Sequence, residues 1–252
     1  MNFVKALTTA AGLFAAALVV TPVSAAETNV AVAANFTDAA KEIAAAFKTK
    51  TGHDAVLSFG SSGQLYTQIT QDAPFQILLS ADSERPKKAV DDGFGVADSR
   101  FTYAVGKLVL WSKDAAFVKG EDTLKTGSFT KISIANPTAA PYGAAAIEAM
   151  KALNLYPTLE PKIVQGNSIA QAFQFIDSAN AELGFVALSQ VQGKGGSQWL
   201  VPQSLYKPIL QDAVLLKKGA DNEVARAFIA FLKGPEAKAI IQKFGYALDV
   251  KS

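Results

Sequence analysis

The chain has 252 residues, 24 Lys and Arg against 22 Asp and Glu, a formal net charge of +2, one His and no Cys. Without cysteine there are no disulfides and no thiolate metal sites, and a lone His53 excludes an imidazole cluster. The near-neutral balance offers no basic footprint for nucleic acid or an anionic membrane surface.

Residues 1–26 read as a signal peptide rather than as part of a fold. Lys5 supplies a positive charge, residues 6–20 are small and mostly apolar, and Val23-Ser24-Ala25-Ala26 offers an A-x-A-like cleavage site. The stretch is too short and wrongly flanked for a membrane span. Cleavage is expected after Ala25 or Ala26, and no cysteine follows that could carry a lipid anchor. The remaining chain, about 226 residues, can bury one large core or two modest ones. It is expected to be a soluble protein of a bacterial periplasm.

Three strand–helix units follow. Asn29 to Ala34 predicts a strand, and Asp38 to Lys50 a helix with Ala40, Ile43, Ala44 and Phe47 at helical spacing. Asp54 to Phe59 and Phe75 to Ser80 predict the second and third strands, with helices at Ser62 to Gln71 and Glu84 to Asp91. A long extended run from Arg100 to Ser112 breaks this rhythm. Alternation then resumes, with strands at Lys131 to Ala135, Lys162 to Val164 and Leu183 to Leu188, and helices at Tyr142 to Leu153 and Ser168 to Ile176. A second extended run, Pro208 to Leu216, precedes helices at Asn222 to Lys233 and Pro235 to Phe244.

Alternating strands and helices predict an open, mainly parallel α/β layer. Two long runs around a middle block predict two lobes, residues 27–105 with 211–252 and residues 106–210, joined by two crossings. Ligands of such sheets bind beyond the carboxyl ends of the strands, so two facing ends make a cleft.

Chemistry is therefore sought at the strand-to-helix junctions. Four of them are rich in neutral donors and small residues: Ala34-Asn35-Phe36-Thr37, Gly60-Ser61-Ser62-Gly63, Pro137 to Gly143, and Gly166-Asn167-Ser168-Ile169. A fifth junction, Ser80-Ala81-Asp82, carries an acid. Each opens a helix whose first N–H groups are unpaired and partly positive, a ready anion site. Taken singly, Thr37, Ser62 and Ser168 are explained as helix caps, Asn35 as a turn residue and Tyr142 as a core aromatic. Asp38, Asp82 and Glu84 read as first-turn helix charges. A nucleophile elbow needs G-x-S-x-G, but Gly60-Ser61-Ser62-Gly63 is followed by Gln64. His53 is expected in an exposed turn at the opposite end of its strand. No Walker or dinucleotide-binding glycine pattern is present.

Several stretches closely resemble the periplasmic molybdate-binding proteins of molybdate ABC importers. These are V-A-A-N-F-T, S-F-G-S-S-G-Q-L-Y-T-Q-I, A-P-F-Q-I-L-L-S-A-D, S-R-F-T-Y-A-V-G-K-L-V-L-W-S, I-A-N-P-x-x-A-P-Y-G, A-E-L-G-F-V-A-L-S-Q and the terminal L-K-G-P-E-A…F-G-Y. The resemblance runs in order along the whole chain after the leader, and G-S-S-G with N-P…A-P-Y-G is its most specific part. It implies a two-lobe periplasmic binding protein fold, each lobe a mixed, mainly parallel sheet flanked by helices, with the ligand in the cleft. It implies ligands at Asn35, Ser62 and Tyr142 and at the Ile169 backbone N–H, with Ala34, Ser61 and Ser168 as secondary candidates. The metal of the oxyanion would then be held only through its oxygens. One branch of the family has Ser at the position of Asn35, Tyr at that of Ala187 and a small residue at that of Tyr142, so this chain reads as the other subtype. The resemblance further implies a monomeric receptor for molybdate and tungstate, without cofactor or catalysis, delivering to a membrane permease and its ATPase. A receptor for sulfate or another tetrahedral oxyanion, and an exported serine hydrolase using Ser62, remain as alternatives.

Overall fold

The computed structural model describes residues 26–249; the leader expected over residues 1–26 lies outside them apart from Ala26. Two five-stranded mixed sheets carry the structure. The first joins β1 (Glu27–Ala33), β2 (Asp54–Gly60), β3 (Ile77–Leu79), β4 (Phe101–Gly106) and, from far along the chain, β10 (Ile209–Leu215), in the order β2-β1-β3-β10-β4. The second joins β5 (Leu108–Ser112), β6 (Ile132–Ala135), β7 (Ile163–Gly166), β8 (Leu183–Ala187) and β9 (Ser197–Leu200), in the order β7-β6-β8-β5-β9. In each sheet the first three strands in that order are parallel and the last two are added antiparallel.

The expected single run from Arg100 to Ser112 is two strands in two sheets. Lys107 alone separates β4 from β5, and this one-residue link carries the chain between the lobes. β10 then returns and pairs antiparallel with both β3 and β4. The strand β9 is absent from the sequence-based reading. It is a four-residue edge strand, no residue of which is fully buried, so it shows too little apolar alternation to stand out.

Parallel strands need crossover helices, and the apolar spacing of the helices decides which faces they cover. In the first lobe, α1 (Thr37–Thr51), α9 (Glu223–Lys233) and α10 (Pro235–Lys243) cover one face of the sheet. There Val30 and Val32 pack with Ile43, Phe47, Phe228 and Ile241. The opposite face of β1 turns Ala31 toward α2 (Ser62–Thr70) and α3 (Glu84–Asp91), where Leu65, Ile69 and Ala89 close it. Both faces of β1 are thus covered, as a central strand of an α/β layer requires.

The second lobe has α4 (Asp122–Thr126), α5 (Pro141–Ala152), α6 (Tyr156–Leu159), α7 (Ile169–Asp177) and α8 (Leu188–Val191). Ala145, Ala146, Ala149 and Met150 of α5 pack on Leu108, Leu110, Ile134 and Phe185. This apolar cluster continues across the cleft to Ala33, Ala34 and Ala81 of the first lobe. Among the described residues, no helix is long and apolar enough to cross a membrane.

Candidate functional site

The starts of four helices meet in the cleft. A single 3-10 turn, Ala34–Phe36, leads into α1, and with the first residues of α2, α5 and α7 it closes around one small cavity. The lining is Ala33, Ala34, Asn35, Ser61, Ser62, Ala81, Ala140, Pro141, Tyr142 and Ile169, with a free volume of about 10 Å³. Asn35, Ser62, Tyr142 and Ile169 therefore share one cavity, as do Ala34 and Ser61. No Lys, Arg, His, Asp or Glu is among the lining residues. Ser168 is not in the lining; it caps α7, its Oγ accepting the Gln171 N–H at 3.3 Å.

The two adjacent serines divide the work. Ser61, not Ser62, is the cap of α2. Its Oγ accepts the Gln64 N–H and donates to Gln64 Oε1 at 2.9 Å, and the Gln64 side chain also takes the Ser61 N–H. This reciprocal pairing consumes the Ser61 hydroxyl. Ser62 is the first helical residue, 1% exposed, and its Oγ accepts the Ala81 N–H at 2.9 Å. No protein acceptor takes the Ser62 hydroxyl proton among the described residues, so one donor remains beside the cavity.

Tyr142 has the same arrangement from the other lobe. It follows Pro141, the first residue of α5, where a missing N–H is harmless and a fixed φ suits the helix. Gly143 follows because a β-carbon there would run directly into the Ala135 carbonyl, so α5 starts flush against the end of β6. The Tyr142 oxygen accepts Gln211 Nε2 at 3.3 Å, and its own proton meets no protein acceptor among the described residues. Burial pushes the Tyr142 phenol well above its ordinary value of 10.0, reinforced by the neighbouring phenols of Tyr246, Tyr206 and Tyr103. It is a neutral donor throughout the neutral pH range.

Asn35 is tied down rather than free. Its Nδ2 donates to Gln211 Oε1 at 2.8 Å and to Tyr246 Oη at 3.0 Å. Both amide protons are thereby used, which leaves the backbone N–H as its available donor. A ring of hydrogen bonds continues from there across the lobes. Tyr246 Oη donates to Ser189 Oγ at 2.8 Å, and Ser189 Oγ donates to the Asn35 carbonyl at 2.9 Å. Ile169 contributes as the first residue of α7, its carbonyl accepting Gln190 Nε2 at 3.1 Å. Its N–H is one of the unpaired groups at the helix start.

Further contacts close the lobes over the cavity. Gly63 N–H donates to the Ala139 carbonyl at 2.9 Å, and Arg85 Nη2 to the Thr138 carbonyl at 2.8 Å. Arg85 is paired with Asp82, whose Oδ1 also accepts the Arg85 N–H at 2.9 Å, so Asp82 sits just before α3 and satisfies a first-turn N–H. Asp38 and Glu84 lie in first helical turns as expected. Thr37 is no cap, for its Oγ1 donates back to the Ala34 carbonyl at 2.8 Å. His53 is half-buried rather than exposed, its Nδ1 accepting the Ala26 N–H at 3.4 Å at the far end of β2.

The comparisons with known proteins agree with this architecture. The family described as bacterial extracellular solute-binding protein matches residues 28–247. The chain belongs to that family. Among its relatives, the molybdate-binding protein ModA of Rhodobacter capsulatus is 58% identical over 243 residues, 95% of this chain and 96% of the relative. ModA of Azotobacter vinelandii is 52% identical over 244 residues, 95% of each. The solved periplasmic molybdate-binding protein of Azotobacter vinelandii superposes with a TM-score of 0.85 at 41% identity, covering 88% of this chain and 99% of that one.

Within this solute-binding fold, sequence reasoning missed four residues next to the cavity: Ala81, Ser189, Gln211 and Tyr246. Gln211 left a signal. It and Asp212 are the only polar residues inside the apolar run I-L-Q-D-A-V-L-L, and both are buried. A buried polar pair within a strand needs partners. Ala81 could not be found in this way, because it acts through its backbone N–H.

Proposed function

We propose that this chain is the molybdate-binding receptor of an ABC importer, taking molybdate and tungstate as tetrahedral dianions in the cavity between the lobes. One observation carries the reading. Two buried hydroxyls, one from each lobe, have their oxygens occupied by protein N–H donors and their protons left over, in a lining that contains no charged side chain. The relatives described above are named for molybdate, which supports the choice of ligand.

The ligand set follows from which donors are free: the Ser62 and Tyr142 hydroxyls and the backbone N–H groups of Asn35, Ser62 and Ile169. Of the secondary candidates, Ala34 offers a backbone N–H at the entry to the 3-10 turn. Ser61 and Ser168 serve as caps that fix the two helix starts. Hydrogen bonds to a charged partner contribute about 1.5–3 kcal/mol each, so several together offset the desolvation of a dianion without a buried cation. Four helix starts add a favourable field over the last few ångströms.

Selectivity follows from protonation and size. Hydrogen phosphate carries a proton for which the free hydroxyls and N–H groups provide no partner, and an unmatched buried donor is penalised. Sulfate has no such proton, and its smaller radius must stretch the hydrogen bonds of a cavity built around a larger anion. Binding needs hinge closure, with the crossings near Val105-Gly106 and Gln211-Asp212 dividing residues 27–105 with 211–252 from residues 106–210. The sheet memberships of β4, β5 and β10 support crossings at Lys107 and just before Ile209. The closed surface is what a permease and its ATPase partner would recognise. The protein acts as a monomer in the periplasm, after removal of its leader.

Hydrolysis is disfavoured by the same geometry. The Ser62 oxygen faces an N–H donor rather than a base, and His53 stands at the other end of a seven-residue strand, roughly 20 Å away by strand rise. Calorimetric titration with molybdate, tungstate, sulfate and phosphate tests the function. Molybdate and tungstate are expected to bind at least about a hundredfold more tightly than sulfate, with no phosphate binding. Phosphate binding without molybdate binding would overturn the reading.

A further inference from the structure

A hydroxyl can offer its proton to a ligand reliably only if its oxygen is held by a donor from the protein. For Ser62 that donor is the Ala81 backbone N–H. For Tyr142 it is a side chain, Gln211 Nε2, reaching across from the other lobe. We propose that Gln211 is the positioning residue of the cavity: it aims the Tyr142 proton at the ligand and couples that donor to Asn35. The inference rests on the cavity being the oxyanion site.

Three features of the fold serve this one side chain. Gln211 is fully buried, so each end of its amide must find its partner inside the protein. Oε1 accepts Asn35 Nδ2 at 2.8 Å and Tyr103 Oη at 3.2 Å, so the NH2 end is the end left for Tyr142. The pairing of β10 with β4 shifts register between Gln211 and Asp212. The extra residue lies on β4, where Tyr103 stands between the partners of Gln211 and Asp212 and turns its hydroxyl to Gln211 Oε1. At the end of β4, Gly106, the partner of Ile209, leaves the space in which the two groups meet. A β-carbon on Gly106 would collide with Tyr142 Oη and lie 2.9 Å from Gln211 Nε2.

The consequence is a coupling between lobes. When the lobes part, Tyr142 leaves Gln211 and its hydroxyl is free to rotate. When they close, Gln211 fixes the phenol while the same amide group holds Asn35 and the helix start that carries its N–H. A donor from each lobe is therefore set by one amide, and only in the closed form.

A bland alternative is that Gln211 merely satisfies buried partners and supports the fold. A double-mutant cycle separates the two. Molybdate is titrated calorimetrically into the purified protein, Gln211→Met, Tyr142→Phe and the double variant. Gln211→Met is expected to weaken binding about tenfold in the native background, and by a clearly smaller factor, about threefold, in the Tyr142→Phe background, where only its hold on Asn35 is lost. Equal losses in both backgrounds would overturn the positioning role while leaving the site intact. If Tyr142→Phe alone binds as tightly as the native protein, the site reading falls and the role of Gln211 with it. Should Gln211→Met lack a cooperative thermal transition, the cycle is run with Gln211→Asn. That amide is one methylene too short to reach Tyr142, and the same pattern of losses is expected.

Discussion

Ser62→Ala is expected to weaken molybdate binding between about tenfold and a hundredfold, because a charge-assisted hydrogen bond in a dry site is lost. Stability should fall as well, by about 1–3 kcal/mol, because the buried Ala81 N–H loses its acceptor. Ser62 sits inside the cavity, but the α2 cap is Ser61, which Ser62→Ala leaves untouched. The neighbouring substitution should spare affinity. Ser61→Ala removes a reciprocal capping pair, costs about 1 kcal/mol of stability and leaves the Ser62 hydroxyl in place. Calorimetry and thermal denaturation of the two variants would show that both lose stability and only Ser62→Ala loses affinity. Unchanged molybdate affinity in Ser62→Ala would remove the serine from the ligand shell.

Tyr142→Phe is the second large effect, and it comes from the other lobe. The ring keeps its packing while the donor disappears, so affinity should again fall between about tenfold and a hundredfold. This variant should also lose stability, by about 1–3 kcal/mol, because Gln211 Nε2 is left buried without an acceptor. Burial holds the Tyr142 phenol well above 10.0. The native protein should therefore keep its affinity as pH rises from 7 to 9, since no phenolate forms in that window to repel a dianion. Calorimetry at both pH values checks this. A native affinity that falls across that range, with no matching fall in Tyr142→Phe, would mean that the phenol ionises there.

The fold was legible in the sequence wherever one rule sufficed. Helical spacing and short apolar strands identified the α/β units, and Pro141 at a helix start placed α5 within one residue. The break at Lys107 was not legible, because β4 and β5 are each apolar and extended and only their pairing with distant strands separates them. At the site, the junctions were legible as donor-rich helix starts, but the choice of Asn35, Ser62, Tyr142 and Ile169 among them came from the family resemblance and not from any local pattern. The division of labour between Ser61 and Ser62 was also written in the chain, in Gln64 three residues after Ser61, a capping-box spacing. What local sequence could not reveal was that Asn35 spends its side chain on Gln211 and Tyr246. Those partners lie 176 and 211 residues away along the chain. Long-range hydrogen bonding decides which atoms of a junction remain available, and no local pattern encodes it.

The most direct test of the account is a crystal structure of the molybdate complex. The oxyanion is expected in the cavity of Ser62 and Tyr142, with Ser62 Oγ, Tyr142 Oη and the Asn35 and Ile169 N–H groups each within about 3.2 Å of an oxygen. An oxyanion bound instead outside this cavity, or one with the Tyr142 phenol beyond about 3.5 Å of every oxygen, would contradict it.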